Sequence, residues 1–143
     1  MAAGYLEGDP ILDLLRFGLS RAIQADSEGV RARFPQIQLD LDLVDDEGLL
    51  AEEGNRALFA VYREAVEHAV ARQGTTRVWV KYLPSPHGMQ LEVKDDGQNT
   101  AKELADFIPD EVVARVHAAG GKLGVSAGAE KKTRVQARMR MAE

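Results

Sequence analysis

The sequence contains no cysteine, one tryptophan and no long hydrophobic run. The absence of cysteine excludes a disulfide framework, a thiolate nucleophile and cysteine-ligated metal centres. No apolar stretch approaches the roughly 20 residues needed to cross a bilayer, and residues 1–10 lack the basic start and apolar core of a secretory signal. We therefore expect a cytoplasmic protein that has no membrane partner.

Basic residues are outnumbered by acidic ones in this chain. There are 18 Lys and Arg residues against 23 Asp and Glu residues, which gives a net charge of −5. This sign opposes binding to a phosphate backbone, so we expect no nucleic acid as a partner. The 143 residues, 45% hydrophobic and 29% charged, suit a single globular domain over 1–143, in which we expect 1–9 to be flexible.

Helical signals occur in three regions. In the N-terminal helical segment 10–34, Asp9-Pro10 is a typical helix start, apolar spacings of three and four predict a helix over 10–25, and 27–34 is a candidate further turn stopped by Pro35. Asn55 is the predicted N-cap of a long helix over 55–73, whose apolar face includes Leu58 and Ala65. Shorter helical stretches are predicted over 101–107 and 109–119.

Strand signals lie between the helices. Residues 36–44 alternate apolar and polar side chains, which predicts a strand with one solvated face. Residues 77–83 and 89–94 are predicted to form a hairpin, and 122–126 and 134–141 are two further strands. This order predicts an α+β fold, a two-layer α/β sandwich with a mixed sheet of about five strands covered by helices on one face.

Chemistry-bearing side chains recur on the long helix. In YREAVEHAVAR, residues 62–72, Glu64, His68 and Arg72 are spaced by four and so share one edge of the helix. Such a row either lines a cleft or forms a solvated helix edge with a local ion pair.

A second motif follows the third predicted strand, VKDDGQN at residues 93–99. Alternation places Asp95 on the same face as Met89, Leu91 and Val93, so its carboxylate continues a core-facing row. It either meets a ligand or serves as a turn aspartate before Gly97. A third passage, RVHAAGGKL at residues 115–123, is followed by Thr133.

Together these three passages resemble the histidine kinase-like ATPases, over about residues 10–141. The first resembles the N box, the second the D-x-G-x-G motif, and the third the R-V-x-x-x-G-G-x-L strand with its final Gly-Thr. The resemblance implies a Bergerat-type ATP-binding fold and assigns Asp95 to the adenine amino group. It implies a nucleotide site formed by a set of six residues: His68, Arg72, Asp95, Gly97, Asn99 and Thr133.

The chain departs from the family pattern where Mg·ATP is held. His68 replaces the Asn that ligates Mg²⁺, Asn99 replaces the second glycine, and the glycines of the ATP lid are absent. Imidazole is a poor substitute for an oxygen ligand of Mg²⁺. No histidine precedes His68, so we expect no phosphoacceptor within the chain.

The functional prediction follows from this pattern of matches and departures. We expect a signal-transduction domain with weak ATP binding at most and no bound Mg²⁺, acting as a regulatory or interaction module. Its expected partner is a signalling protein, or a second copy bound through the N-terminal helix or the open sheet face. The alternative is an active ATPase or a kinase of a separate partner, in which Glu64 is the candidate catalytic residue; a third reading is a generic α/β domain.

Two other constellations carry less specific signals. A basic cluster near the C-terminus either meets phosphates or protects an edge strand from aggregation. Its members are Lys131, Lys132, Arg134, Arg138 and Arg140. The three histidines, His68, His87 and His117, lack zinc-site spacing, so we predict no metal site.

Overall fold

A computed structural model describes residues 11, 15–46, 48–86, 88–97, 108–127 and 133–140. A 3-10 turn, Leu15–Phe17, precedes the first helix. In chain order the elements are α1 Leu19–Arg33, β1 Gln38–Leu43, α2 Glu52–Ala71, β2 Arg77–Ser85, β3 Gly88–Asp95, α3 Asp110–Ala118, β4 Lys122–Ala127 and β5 Thr133–Met139.

The strands form one five-stranded sheet in the order β1-β2-β3-β5-β4. Strand β1 is parallel to β2, with Leu39 opposite Val78, and the other neighbours are antiparallel, with Val93 opposite Val135. Helices α1 and α2 pack on the sheet, and α3 packs against α2 and β4. The predicted α+β fold, an open two-layer sandwich with a mixed sheet, is confirmed.

The core lies between the sheet and the helices. Alternate side chains of β3 are buried from Met89 to Asp95, as the period-two pattern predicts. On α2 the residues predicted to share a face, including Leu58 and Ala65, are buried. The opposite face of the sheet carries mostly polar and charged side chains, such as Asp40 on β1 and Lys94 on β3.

The N-terminal helical segment differs from its prediction. Of the residues predicted as a helix over 10–25 and a further turn over 27–34, those from Leu19 to Arg33 form one helix, which the 3-10 turn precedes, and residues 10 and 12–14 lie outside the described part of the chain. The break lies instead at Gly18, whose φ of 117° is incompatible with helix and favours glycine. The predicted start at Asp9-Pro10 and the predicted helix over 101–107 fall outside the described residues.

The predicted N-cap of the long helix is wrong. Helix α2 begins at Glu52 after Ala51, so Asn55 lies inside its first turn. The buried amide of Asn55 instead donates a hydrogen bond to the carbonyl oxygen of Leu15 at 3.0 Å. Asn55 therefore connects α2 to the 3-10 turn, a tertiary contact that local sequence cannot predict.

Helix α1 takes its N-terminal cap from a distant part of the chain. The buried carboxylate of Asp46 accepts hydrogen bonds from the amides of Leu19 at 2.9 Å and Ser20 at 3.2 Å. The Ser20 hydroxyl in turn donates to the carbonyl oxygen of Val44. A side chain on Gly18 would lie 2.4 Å from Asp46 Oδ1, so glycine is required there for steric reasons as well.

We expect Asp46→Ala to lower the free energy of unfolding by about 2 kcal/mol, because two helix N-terminal amides lose their acceptor. Asp46→Asn keeps one carbonyl acceptor and should lose about half as much. Urea denaturation followed by circular dichroism measures both values. Equal stability of wild type and both variants would contradict the capping role.

Candidate functional site

The candidate site lies where β3 ends beside the end of α2. Asp95 is the last residue of β3 and Arg72 directly follows the last residue of α2. Arg72 Nη1 donates to Asp95 Oδ2 at 2.6 Å, and only 9% and 4% of the two side chains are exposed. A buried ion pair therefore occupies the position at which the D-x-G motif offers its carboxylate.

Gly97 completes the surroundings of the Asp95 carboxylate. Its amide donates to Asp95 Oδ1 at 2.9 Å, so each carboxylate oxygen already has a donor. A Cβ atom at Gly97 would lie 2.2 Å from Thr75 Oγ1 and 3.0 Å from Arg72 Cδ. The Arg72 side chain thus lies against the backbone of Gly97, and any larger residue there would displace it.

The environment of Asp95 is dominated by burial. Burial raises the pKa of the Asp95 carboxyl, and the hydrogen bonds from Arg72 and the Gly97 amide offset this rise only in part. The buried hydroxyl oxygen of Thr75 also has no hydrogen-bond partner among the described residues. The pair is therefore a desolvated charge site whose stability depends on Arg72.

The adjacent Asp96 has a structural role. Its carboxylate accepts hydrogen bonds from the amides of Thr76 at 2.8 Å and Arg77 at 3.0 Å, and from the Thr76 hydroxyl. Burial acts to raise the pKa of Asp96, but these hydrogen bonds together lower it. Of the two neighbouring aspartates, Asp96 thus fixes the start of β2, while Asp95 faces inward.

Glu64 and His68 lie earlier on α2. His68 Nε2 is 4.0 Å from Glu64 Oε2, and the side chains are 43% and 32% exposed. Partial burial and the neighbouring Glu67 raise the pKa of Glu64, His68 lowers it, and Glu111 on α3 adds to the rise. Of the three side chains spaced by four, only Arg72 is closely enclosed, and it contacts Asp95.

Of the other predicted residues, some lie in the described structure and some lie outside it. Thr133 is buried at the start of β5, directly before Arg134, which pairs with Lys94 on β3, so it lies at the same end of the sheet as Asp95. Asn99 falls outside the described residues, as do Lys131 and Lys132. Of the basic cluster, Arg134 lies 3.7 Å from Glu92 across the sheet.

Metal-binding clusters and membrane-spanning helices are both absent from the described residues. Among these residues, no group of three or more His, Asp or Glu side chains is arranged to hold a metal ion. No helix in the part of the chain that the structure describes is both long and apolar enough to span a bilayer.

The Arg72–Asp95 contact is the feature that sequence reasoning missed. Both residues were candidates, but for binding a ligand rather than each other. They are 23 positions apart, and no local pattern reports a contact at that distance. The one available signal is that a long cationic side chain at the end of a helix reaches beyond that end.

No protein-family model and no curated protein matches the chain by sequence. Solved structures do match it in fold. The histidine kinase domain of the Erythrobacter litoralis EL346 blue-light activated histidine kinase superposes with a TM-score of 0.71 at 14% identity, covering 86% of this chain and 61% of that one. The chain thus spans about three fifths of that structure.

Two other structures give the same result. The Acinetobacter baumannii histidine kinase AdeS has a TM-score of 0.65 at 17% identity, with 96% of this chain and 77% of that chain covered. The ATP-binding domain of PrrB from Mycobacterium tuberculosis has a TM-score of 0.56 at 19% identity, with 93% and 95% covered. The chain therefore has the fold of histidine kinase ATP-binding domains, as its motifs imply.

Proposed function

We propose that the chain is a histidine kinase-like ATPase domain of a cytoplasmic signal-transduction protein, with a degenerate nucleotide site. In this proposal the domain binds ATP weakly or not at all and acts as a regulatory or interaction module. The observation that supports it most directly is the buried ion pair between Arg72 and Asp95.

The ion pair competes with a nucleotide for the same carboxylate. In the family that the motifs resemble, the aspartate of D-x-G accepts a hydrogen bond from the adenine amino group. Here the Arg72 guanidinium supplies that N–H donor at 2.6 Å, and its side chain packs against Gly97. Breaking a buried ion pair costs up to about 3–5 kcal/mol, which would weaken adenine binding by roughly a hundredfold or more.

The metal end of the site is equally poor in suitable ligands. His68 stands where the family places its Mg²⁺-ligating Asn, and its Nε2 lies 4.0 Å from Glu64 Oε2. Mg²⁺ prefers hard oxygen ligands in octahedral geometry, which an imidazole does not provide. His68 therefore supports a site that does not hold Mg·ATP, and in this proposal we assign no catalytic step to Glu64.

We assign six residues to the degenerate nucleotide site: His68, Arg72, Asp95, Gly97, Asn99 and Thr133. In this proposal Arg72 fills the adenine position beside Asp95 and does not bind phosphate. A domain of this kind acts through protein contacts, so any phosphoryl transfer in its pathway belongs to a partner.

Isothermal titration of the wild-type chain with Mg·ATP tests this function. We expect no measurable heat and no rise in melting temperature at millimolar nucleotide, because a ligand that binds the native state must stabilise it. A Kd well below 1 mM that depends on Mg²⁺ would favour the alternative, an active ATPase or kinase of a separate partner.

A variant that removes the Arg72 guanidinium gives the positive control. Arg72→Ala should gain binding of adenosine, detected as a rise in melting temperature that wild type does not show, because Asp95 then lacks a donor. His68→Asn alone should gain nothing while Arg72 stays in place. If adenosine stabilised wild type and Arg72→Ala equally, Arg72 would not be the competing group.

A further inference from the structure

Strand β4 forms one outer edge of the sheet. It pairs only with β5, and no other described residue is hydrogen-bonded to its backbone. The opposite edge is different, because Arg31 on α1 donates a hydrogen bond to the carbonyl oxygen of Leu39 on β1 at 2.8 Å. An edge strand with unpaired amides and carbonyls is a template for an added strand. Of the two edges, β4 is therefore the one suited to strand addition.

Unpaired cations surround the first half of β4. Lys122 lies opposite Arg138 on β5, and Arg140 follows the end of β5. None of the three forms an ion pair with another residue that the structure describes, and all are exposed. They line a concavity of about 440 Å³ together with Gly120, Gly121 and Met139. This concentration of positive charge contrasts with the net charge of −5 of the whole chain.

The two faces of β4 differ in polarity and burial, so a partner strand could recognise each face by different side chains. Lys122, Gly124 and Ser126 are exposed on the open face, whereas Leu123 and Val125 are half-buried against the core. Gly124 has no side chain, and a Cβ atom there would meet no atom within 4 Å, so the open face of β4 is unobstructed between Lys122 and Ser126. A strand beside β4 would place alternate apolar side chains against Leu123 and Val125, and the others near the cations.

We propose that the free edge of β4 binds an extended segment of an acidic partner protein by strand addition. The segment alternates apolar residues, which cover Leu123 and Val125, with Asp or Glu residues, which face Lys122 and Arg138. This deepens the interaction role proposed above by naming its surface, and it rests on that role.

Charge decides between this occupant and the others. A second copy paired antiparallel through its own β4 would place the two Lys122 residues at opposite ends of the paired strands, and it would bring them no acidic side chain, because β4 contains no Asp or Glu. Nucleic acid is opposed by the acidic balance of the rest of the chain. An acidic extended segment satisfies both the free backbone edge and the cations.

The test uses a fluorescent seven-residue peptide of alternating glutamate and valine with the 143-residue chain, measured by fluorescence anisotropy. A peptide in which lysine replaces glutamate, and one with the same residues in two blocks, are the ligand controls. We expect only the alternating acidic peptide to bind, with an affinity that falls as salt rises. Arg138→Glu should weaken binding about tenfold, whereas Arg21→Glu, an equal charge change at an exposed position of α1, should alter it less than twofold.

Methylated peptides separate strand addition from general charge attraction. Methyl groups on alternate backbone nitrogens block one edge of an extended peptide, so one of the two methylation phases should abolish binding and the other should preserve it. Equal effects of both methylation phases would overturn the proposal. It would also be overturned if an oligonucleotide or phosphatidylserine vesicles bound the surface at Arg138 more tightly than the acidic peptide does. Neither outcome affects the nucleotide titrations, so the two proposals fail separately.

Discussion

Replacing Arg72 with methionine should lower the free energy of unfolding by about 3–5 kcal/mol at pH 7, because the variant leaves the carboxylate of Asp95 buried without its cation. Methionine keeps most of the aliphatic length, so the loss reports the charge rather than a cavity. Urea denaturation of wild type and variant gives the difference directly. This loss is large against the roughly 5–15 kcal/mol that stabilises a typical domain.

The pH dependence of this loss has a definite sign. Burial already raises the pKa of Asp95 in the folded protein, and removing Arg72 takes away the main group that lowers it. A carboxyl whose folded pKa lies above its unfolded value binds more protons when folded, so its contribution to stability falls as pH rises through that window. The deficit of Arg72→Met should therefore be smaller at pH 4 than at pH 7.

Two variants control this interpretation. Arg72→Met combined with Asp95→Leu removes both charges and should recover most of the lost stability, with little pH dependence. Arg56→Met breaks an exposed pair with Glu52, whose side chains are 49% and 61% exposed, and should cost at most about 0.5 kcal/mol. If Arg72→Met were as stable as wild type at pH 7, the buried pair would not exist in solution.

Gly88→Ala should strongly lower the free energy of unfolding, although it adds only one methyl group and lies outside the candidate functional site. Gly88 begins β3 with a φ of 148°, and an added Cβ would lie 2.1 Å from the carbonyl oxygen of Met139 and 2.9 Å from Arg140 Cα. Both contacts are with backbone, which cannot rotate away. Steric overlap and an unfavourable φ together should cost about 3–5 kcal/mol, measured by thermal unfolding.

Gly124→Ala is the matched control for this prediction. Gly124 lies on β4, where an added Cβ meets no atom within 4 Å and the backbone needs no positive φ. We expect a change within about 1 kcal/mol, and a stabilising one if the unfolded chain loses freedom. Similar losses in both variants would mean that the close approach of β3 to β5 at Gly88 is not the cause.

Periodicity was sufficient to predict the layers of the fold. The alternation in β1 and β3 and the apolar face of α2 each report a local geometry that burial then uses, so the sheet and its covering helices follow from spacing. The start of α1 at Leu19 did not follow, because its cap, Asp46, lies 27 positions away, and the role of Asn55 did not follow, because it bonds Leu15, which lies 40 positions away. The contact between Arg72 and Asp95 could not be predicted for the same reason, because a periodic pattern does not identify the partner of a side chain.

The remote cap on α1 also affects how the molecule opens. The first amides of α1 are bonded to Asp46, and Ser20 is bonded to Val44, so the helix start and the segment after β1 cannot separate independently. The hydrogen bonds from the first turn of α1 to Asp46 and Val44 form only when β1 is folded beside the helix. The first turn of α1 therefore depends on β1 for its cap. We therefore expect the two segments to belong to one cooperative unit of local unfolding, whose backbone amides exchange with solvent in a single shared event.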